Sequence, residues 1–212
     1  MQNDITILVH GFFRTRSDMR YLEAGLKAMG RQVLSVQLPT FFSSLDQCCD
    51  ALAAQVDPIA ATAKTVHYVA HSMGGLIVRA YIARTQQQNV GHSVLIATPH
   101  QGSKLAAIAK RIPFYATIFK PINDLLPSLH YHDFGTDKAF KLGVIAGNRN
   151  QGLIGKLLMP ADSDGRVTVA SVQAIDMDDF IVLPYGHDTI HHTKQTLELV
   201  QHCLSTGRFD NA

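Results

Sequence analysis

A serine lies between small residues in the segment Val66–Gly75, whose sequence is VHYVAHSMGG. The apolar run before Ser72 predicts a strand and the residues after it predict a helix, so the serine occupies a sharp strand-to-helix turn. Side chains two positions before and after such a serine crowd each other, and here they are Ala70 and Gly74. This pattern presents a hydroxyl above a sheet, where it can attack a carbonyl carbon. Ser72 is therefore the candidate nucleophile, and its alternative role is to cap the following helix.

Four segments carry patterns that occur together in one family of enzymes, and they lie in that family's order: His10–Phe12, Val66–Gly75, Thr98–Ser103 and Asp164–Val167. The serine segment resembles the nucleophile elbow of the α/β-hydrolase family of esterases and lipases, with alanine where the first glycine usually stands. The others resemble the turn after the first strand, a loop beside the serine and the acid loop of bacterial lipases. The resemblance runs from His10 to His187 and implies a compact serine hydrolase of the bacterial esterase and lipase type.

The resemblance also implies the two partners of the serine, because the family's order is serine, acid, histidine. Asp164 matches the acid, and Gly165 allows the tight bend that turns its carboxylate inward. Asp162 is the alternative, as an exposed carboxylate at a turn. His187 follows the sixth predicted strand and a glycine, and it matches the base that takes the serine proton, with His191 as the alternative.

A tetrahedral intermediate needs N–H donors directed at its oxyanion. The turn at Ser72 predicts one of them, the backbone N–H of Met73. The resemblance implies the second, the backbone N–H of Phe12, presented by a tight turn at Gly11. The alternative is that His10 and Gly11 only end a strand. We expect His71 and His100 to be buried, hydrogen-bonded packing residues.

Alternating strands and helices must bring these residues together. Short apolar runs predict six strands, at Ile5–Val9, Gln32–Gln37, Val66–Ala70, Ser93–Ala97, Leu142–Ala146 and Phe180–Leu183. Apolar residues at helical spacing lie between and after them, around positions 21–29, 52–59, 76–81 and 197–204. This alternation predicts a doubly wound α/β fold, with a mostly parallel sheet, helices on both faces and the active surface at the carboxyl ends of the strands.

The stretch from Lys104 to about Phe134 is apolar, aromatic and interrupted by prolines, and it predicts short helices inserted between the fourth and fifth strands. The insertion is an excursion from a single domain, residues 1–212. With Phe13, its bulky residues suggest an apolar acyl pocket under a small lid, the candidates being Phe114, Tyr115, Ile118 and Phe119. The alternative is that the insertion residues simply pack on the sheet.

The composition limits the partners. The chain has 212 residues, of which 46% are hydrophobic and 17% charged, with a formal net charge of +2. Neither sign of charge forms a run that could follow a phosphate backbone, so nucleic acid is not an expected partner. No apolar stretch approaches the roughly 18 to 20 residues that span a bilayer, so no stable membrane insertion is expected. The sequence does not predict an oligomeric state.

Three cysteines, two of them adjacent, do not form a disulfide framework, which favours a reducing compartment, the cytoplasm. An exported mature chain with its leader removed is the alternative. No metal site is predicted, because Cys48 and Cys49 lack a second pair and helical spacing points His191 and His192 to different faces. No nucleotide cofactor is expected, since glycine-rich phosphate loops are absent from the sequence.

Together these residues predict a serine carboxyl-ester hydrolase that acts through an acyl-enzyme on small-molecule or lipid esters with an apolar acyl chain. Thioesterases, amidases and acyltransferases use the same triad and are alternatives. A binding module that has kept the hydrolase scaffold without turnover is a further alternative, because a fold alone does not establish a function.

Overall fold

A parallel β-sheet of six strands organises the chain, with the strand order β2-β1-β3-β4-β5-β6. The computed structural model describes residues 3–111, 133–150 and 153–209. The strands are β1 (Asp4–Val9), β2 (Gln32–Ser35), β3 (Thr65–His71), β4 (Ser93–Ile96), β5 (Leu142–Gly147) and β6 (Asp179–Leu183). All five pairings between neighbouring strands are parallel. The six predicted strands and the mostly parallel sheet are therefore confirmed.

Helices connect the strands along the chain. They are α1 (Arg20–Ala28), α2 (Leu45–Ala60), α3 (Met73–Thr85), α4 (Lys104–Ala109), α5 (Leu153–Leu158), α6 (Val169–Val172) and α7 (Lys194–Thr206). Two short 3-10 turns, Arg16–Met19 and Ile190–His192, precede α1 and α7. Across the described part of the chain, none of the helices is both long enough and apolar enough to cross a bilayer.

Each face of the sheet carries its own apolar core, as a doubly wound fold requires. In β1, Ile7 and Val9 belong to one core and Leu8 to the other, because successive side chains of a strand point to opposite faces. Residues of α2 and α3 cover the first face, and residues of α1 and α7 cover the second. Strands buried on both sides explain the apolar runs in the sequence.

The predicted insertion begins as expected, since α4 starts at Lys104. Its bulky pocket candidates Phe114, Tyr115, Ile118 and Phe119 lie outside the described residues. At the far end of the stretch, the ring of Phe134 packs under the guanidinium of Arg79, 5.0 Å from the ring centre, and edge-on to the ring of Phe140.

A buried ion pair joins α3 to the segment between α6 and β6. Arg79 and Asp176 have side chains that are 3% and 2% exposed, and Arg79 Nη1 lies 2.9 Å from Asp176 Oδ2. The same carboxylate accepts a hydrogen bond from the backbone N–H of Phe134. Burial by itself raises the pKa of Asp176, but the contacts with Arg79 more than offset it, so the pKa lies below its usual value.

We expect the substitution Asp176→Asn to lower the free energy of unfolding by about 3 to 5 kcal/mol, because the guanidinium of Arg79 stays buried after losing its carboxylate partner. The matched control is Asp50→Asn, which breaks an ion pair with Arg84 whose side chains are 71% and 43% exposed. Such a surface pair contributes about 0 to 1 kcal/mol. Urea unfolding at pH 7 measures both variants, and equal effects would contradict the prediction.

The same pair makes stability depend on pH. Because the pKa of Asp176 is lower in the folded protein than in the unfolded chain, its contribution is complete above about pH 4 and is lost as the pH falls through the folded-state pKa. The difference in stability between the native protein and Asp176→Asn is therefore expected to shrink in acid.

Candidate active site

Ser72 occupies the sharp turn between β3 and α3, with φ 55° and ψ −129°. A non-glycine residue with positive φ is strained, and such strain is concentrated at functional sites. The Ser72 side chain makes no capping hydrogen bond to α3, so the alternative role of helix cap is wrong. The backbone holds the turn instead, because the Ser72 N–H donates to the Ile96 carbonyl at 2.8 Å.

Glycines allow the start of α3 to pack directly on the neighbouring strand ends. A Cβ atom added to Gly74 would lie 2.6 Å from the Val9 carbonyl oxygen and 2.7 Å from that of His10. A Cβ atom added to Gly75 would lie 2.1 Å from Thr98 Oγ1. The close approach to backbone atoms at Gly74 explains why the position after the serine turn needs glycine.

The imidazole of His187 lies between Ser72 and Asp164. Its Nε2 atom is 3.0 Å from Ser72 Oγ, and its Nδ1 atom is 2.6 Å from Asp164 Oδ2. With a neutral imidazole, Nδ1–H donates to the carboxylate and Nε2 accepts the hydroxyl proton. The structure thus brings together the three residues that the sequence singled out, from three different loops. The alternative acid and base do not take part in this contact. Asp162 is exposed, and His191 faces the carboxylate of Asp18.

The bend after Asp164 fixes the direction of its carboxylate. Gly165 has φ 94°, a conformation that favours glycine, as its predicted role requires. Asp164 Oδ1 accepts hydrogen bonds from the backbone N–H groups of Arg166 at 2.9 Å and Val167 at 2.7 Å. These bonds hold Oδ1, and Oδ2 is left facing the imidazole of His187.

The turn after β1 lies against the serine. A Cβ atom added to Gly11 would lie 2.9 Å from Ser72 Cβ. The Gly11 carbonyl accepts hydrogen bonds from Thr40 Oγ1 at 3.0 Å and from the ring of His10 at 3.1 Å. Because a trans peptide is planar, the N–H of Phe12 points in the opposite direction from that carbonyl. The role of Phe12 as the second oxyanion donor stays a prediction, as does that of Met73 as the first.

A cleft with a volume of about 150 Å³ opens beside Ser72 and His187. Its apolar lining comes from Phe12, Pro99, Leu105, Ala106 and Val167. The predicted pocket residue Phe13 is not among the described lining residues. Its ring packs instead against those of Phe12 and Phe41, with centroid distances of 4.7 and 4.9 Å.

Three charged residues form one rim of this cleft and were not predicted from the sequence. Arg166 Nη2 lies 2.9 Å from one carboxylate oxygen of Asp188, and Arg14 contacts the other oxygen. Burial raises the pKa of Asp188, but the charge of Arg166 and the hydrogen bonds from Arg166 and Arg14 more than offset it, so its pKa is below the usual value. Two guanidinium groups against one carboxylate give the rim a net positive charge. Asp188 directly follows His187, and Arg166 lies two positions after Asp164. This closeness in the sequence is the signal that could have identified both as site residues.

A group of histidines lies behind His187. His71 is 1% exposed, and its Nε2 atom is 3.1 Å from the backbone carbonyl of His187. His191 stacks on His71 with 3.8 Å between ring centroids, and His191 Nε2 is 3.1 Å from Asp18 Oδ2. His192 Nε2 lies 3.7 Å from the other oxygen, Asp18 Oδ1.

The prediction that His191 and His192 point to different helix faces is wrong, because they lie in the 3-10 turn before α7 and both face Asp18. The expectation of buried, hydrogen-bonded packing residues is confirmed for His71 and for His100. The Nδ1 atom of His100 bonds the Val172 carbonyl at 2.6 Å, and burial lowers the pKa of His100 to about 3.

The chain has the α/β-hydrolase fold. The sequence model of the palmitoyl protein thioesterase family matches residues 6–141, more than half of the chain, so the chain belongs to this family. The matched region contains Ser72 and the turn after β1, and it ends before Asp164 and His187. No curated protein matches the sequence.

Solved structures share the fold at low sequence identity. The mature form of the Bacillus licheniformis lipase BlEst2 has a TM-score of 0.81 and 20% identity, over 94% of this chain and 91% of the lipase. The propeptide form of the same lipase has a TM-score of 0.77 and 20% identity over 88% of this chain, which spans about half of that longer chain, 46%. The type II thioesterase BorB from the borrelidin biosynthetic cluster has a TM-score of 0.65 and 15% identity, over 96% and 92% of the two chains.

The hydrogen bond between Ser72 Oγ and His187 Nε2 predicts a reactive hydroxyl. A fluorophosphonate probe should therefore label Ser72 covalently in the folded protein. Asp164→Asn should slow labelling by a factor on the order of 10³ or more, because the imidazole loses the acceptor that fixes its tautomer. The matched control Asp162→Asn alters an exposed carboxylate of the same loop and should label at the native rate. Mass spectrometry of the labelled peptide measures both rates, and the reverse order would make Asp162 the acid.

Proposed function

We propose that the protein is a serine hydrolase of carboxylic esters, in which Ser72, His187 and Asp164 form the catalytic triad. The observation that carries the proposal is the pair of contacts made by one imidazole, 3.0 Å to the serine oxygen and 2.6 Å to the carboxylate. Membership of a thioesterase family and the shared fold of an esterase or lipase type support the same reaction class.

In the proposed reaction, Ser72 Oγ attacks the ester carbonyl carbon while His187 Nε2 accepts the hydroxyl proton. The bond between the carbonyl carbon and the leaving oxygen then breaks, and His187 returns the proton to the departing alcohol. The acyl group remains on Ser72. A water molecule repeats the sequence on this acyl-enzyme, with His187 again as the base, and releases the acid and the free serine.

Charge develops at two places during each attack, and the site has a partner for both. The backbone N–H groups of Phe12 and Met73 are the proposed donors to the oxyanion, each contributing about 3 kcal/mol to the transition state. The imidazolium of His187 forms against the Asp164 carboxylate, which two backbone N–H groups already hold in place. The negative carboxylate stabilises that imidazolium and keeps its ring oriented.

The cleft suggests how an ester is bound. Its apolar residues form a surface for the acyl chain, while Arg14, Arg166 and Asp188 form a polar rim for the rest of the substrate. The cleft volume of about 150 Å³ is enough for a group the size of benzene, or for an acyl chain of about six carbons. We therefore propose esters with short acyl chains as preferred substrates.

Thioesters are the second candidate class, and the name of the matching family favours them. The same triad cleaves a thioester, because Ser72 again attacks a carbonyl carbon and only the leaving atom changes from oxygen to sulfur. A thiolate needs less help from His187 in leaving, since thiols are more acidic than alcohols.

Replacing the nucleophile should abolish turnover. We expect Ser72→Ala to lower kcat for p-nitrophenyl butyrate by a factor of about 10⁴ or more. Ser103→Ala is the matched control, because Ser103 lines the same cleft without contacting His187 in the described structure. That control should keep most of the native kcat. If native protein and Ser72→Ala hydrolyse the ester equally, with thermal unfolding showing both folded, the proposed nucleophile is wrong.

A matched set of substrates tests the acyl pocket and the leaving group. We expect kcat/KM to be higher for p-nitrophenyl butyrate than for the palmitate, because the volume of the described cleft matches a short chain. Butyryl and palmitoyl thioesters of N-acetylcysteamine provide the same chains on sulfur. A preference for palmitoyl over butyryl groups, in both the esters and the thioesters, would contradict the short-chain proposal. A larger kcat/KM for the thioesters at both chain lengths would favour thioesters over oxygen esters as the substrate class.

A further inference from the structure

Asp18 and three histidines from separate segments converge behind the catalytic edge. Asp18 lies in the 3-10 turn before α1, His71 ends β3, and His191 and His192 lie in the 3-10 turn before α7. The distances from the Asp18 carboxylate oxygens are 3.1 Å to His191 Nε2, 3.6 Å to His71 Nδ1 and 3.7 Å to His192 Nε2. One donor atom each from Asp18, His191 and His192 lies within 4.8 Å of the other two.

Several polar atoms of this group are buried and lack a well-directed hydrogen bond in the described structure. The side chains of His191 and His71 are 0% and 1% exposed. Asp18 Oδ2, His71 Nδ1 and both ring nitrogens of His191 lack a hydrogen-bond partner. Unpaired buried polar atoms are costly and need an explanation. Arg14 does not provide it, because its Nε atom is 3.9 Å from the other oxygen, Asp18 Oδ1.

The tautomer of His71 places an unpaired acceptor next to the carboxylate of Asp18. Its Nε2 atom is 3.1 Å from the backbone carbonyl of His187, which only accepts hydrogen bonds, so the proton lies on Nε2. In the neutral ring, Nδ1 then presents a lone pair to the carboxylate oxygen of Asp18. Two acceptors face each other in a buried place, and a cation between them would satisfy both. Histidines that bind metals usually donate the other ring N–H to such a carbonyl or carboxylate.

The charges also fit a metal ion. Burial raises the pKa of Asp18, but its contacts with His191 and His71 more than offset it, so the pKa lies well below its usual value and the group is a carboxylate. Burial lowers the pKa of His191 and of His71, so both rings are neutral at pH 7. A carboxylate with neutral imidazoles is a donor set that suits zinc.

We propose that Asp18, His191 and His192 bind a divalent transition-metal ion such as Zn²⁺, with His71 Nδ1 as the fourth donor. Ligands at about 2.0 to 2.1 Å from a tetrahedral zinc ion lie about 3.3 Å from one another. The contacts of His191 and His71 with Asp18 Oδ2, 3.1 and 3.6 Å, are of this size, and His192 lies 3.7 Å from the other oxygen, Asp18 Oδ1. His192 is 39% exposed, so the site opens to solvent on that side and its ring has room to adjust.

The ion would join two segments that flank the candidate active site. The 3-10 turn with Asp18 follows the Gly11–Phe12 turn in the chain, and the 3-10 turn with His191 follows His187. The proposed role is therefore structural, since the ion would hold the loop that carries His187. It does not depend on the reaction proposed above.

Zinc titration of the EDTA-treated protein tests the proposal. We expect one Zn²⁺ per native chain and a rise in the thermal unfolding midpoint with zinc. Asp18→Asn and His192→Ala should each raise the Kd for zinc by a factor of about ten or more. His192 is partly exposed, so His192→Ala should fold even if Asp18→Asn does not. His202→Ala, near the other end of α7, is the matched histidine control and should leave the Kd unchanged.

His187→Ala separates this site from the triad, because His187 and Asp164 are a second pair of potential zinc donors. Retained zinc binding in His187→Ala, with weakened binding in His192→Ala, supports the proposal. Loss of binding in His187→Ala alone, an unchanged Kd in His192→Ala, or less than one zinc per native chain would overturn it. Fluorophosphonate labelling of Ser72 is measured in parallel, so a failure of the triad proposal is recognised separately.

Discussion

The start of α3 lies directly against the end of β1 and the turn that follows it, and the candidate site depends on this contact. Two backbone carbonyls of the strand end occupy the space that a side chain at Gly74 would need, and Ser72 fills the space beside Gly11. These contacts hold the serine in its strained conformation, with φ 55°. His187 and Asp164 then need only to reach a hydroxyl whose position is already fixed.

Much of this arrangement could be predicted from the sequence. Strands that are buried on both faces are apolar throughout, so short apolar runs predict them. The serine turn requires small residues on either side, here Ala70 and Gly74, so a short local pattern predicts it too. The three histidines around Asp18, and the pairing of Asp188 with two arginines, could not be predicted in this way. They depend on the packing of segments far apart in the chain. Helical spacing gave the wrong geometry for His191 and His192, since a 3-10 turn precedes α7 there.

Two buried carboxylates and the partly buried carboxylate of Asp18 show how differently the fold stabilises the same charge. Asp176 is neutralised by a guanidinium, and Asp164 is held by backbone N–H groups and one imidazole. Asp18 has only imidazoles and a distant guanidinium around it. Only Asp164 is connected through an imidazole to a hydroxyl, which is why the proposed chemistry is assigned to it and the proposed metal to Asp18.

The two hydrogen bonds accepted by the Gly11 carbonyl have a consequence for the speed of the proposed reaction. Rotating the Gly11–Phe12 peptide plane would break both of them, the one from Thr40 and the one from His10. The amide dipole is thus locked before any ester arrives, and little of the energy of substrate binding is needed to reorganise it. In the proposed reaction, rigidity acquired during folding would lower the activation barrier, because the N–H of Phe12 is the proposed donor to the oxyanion.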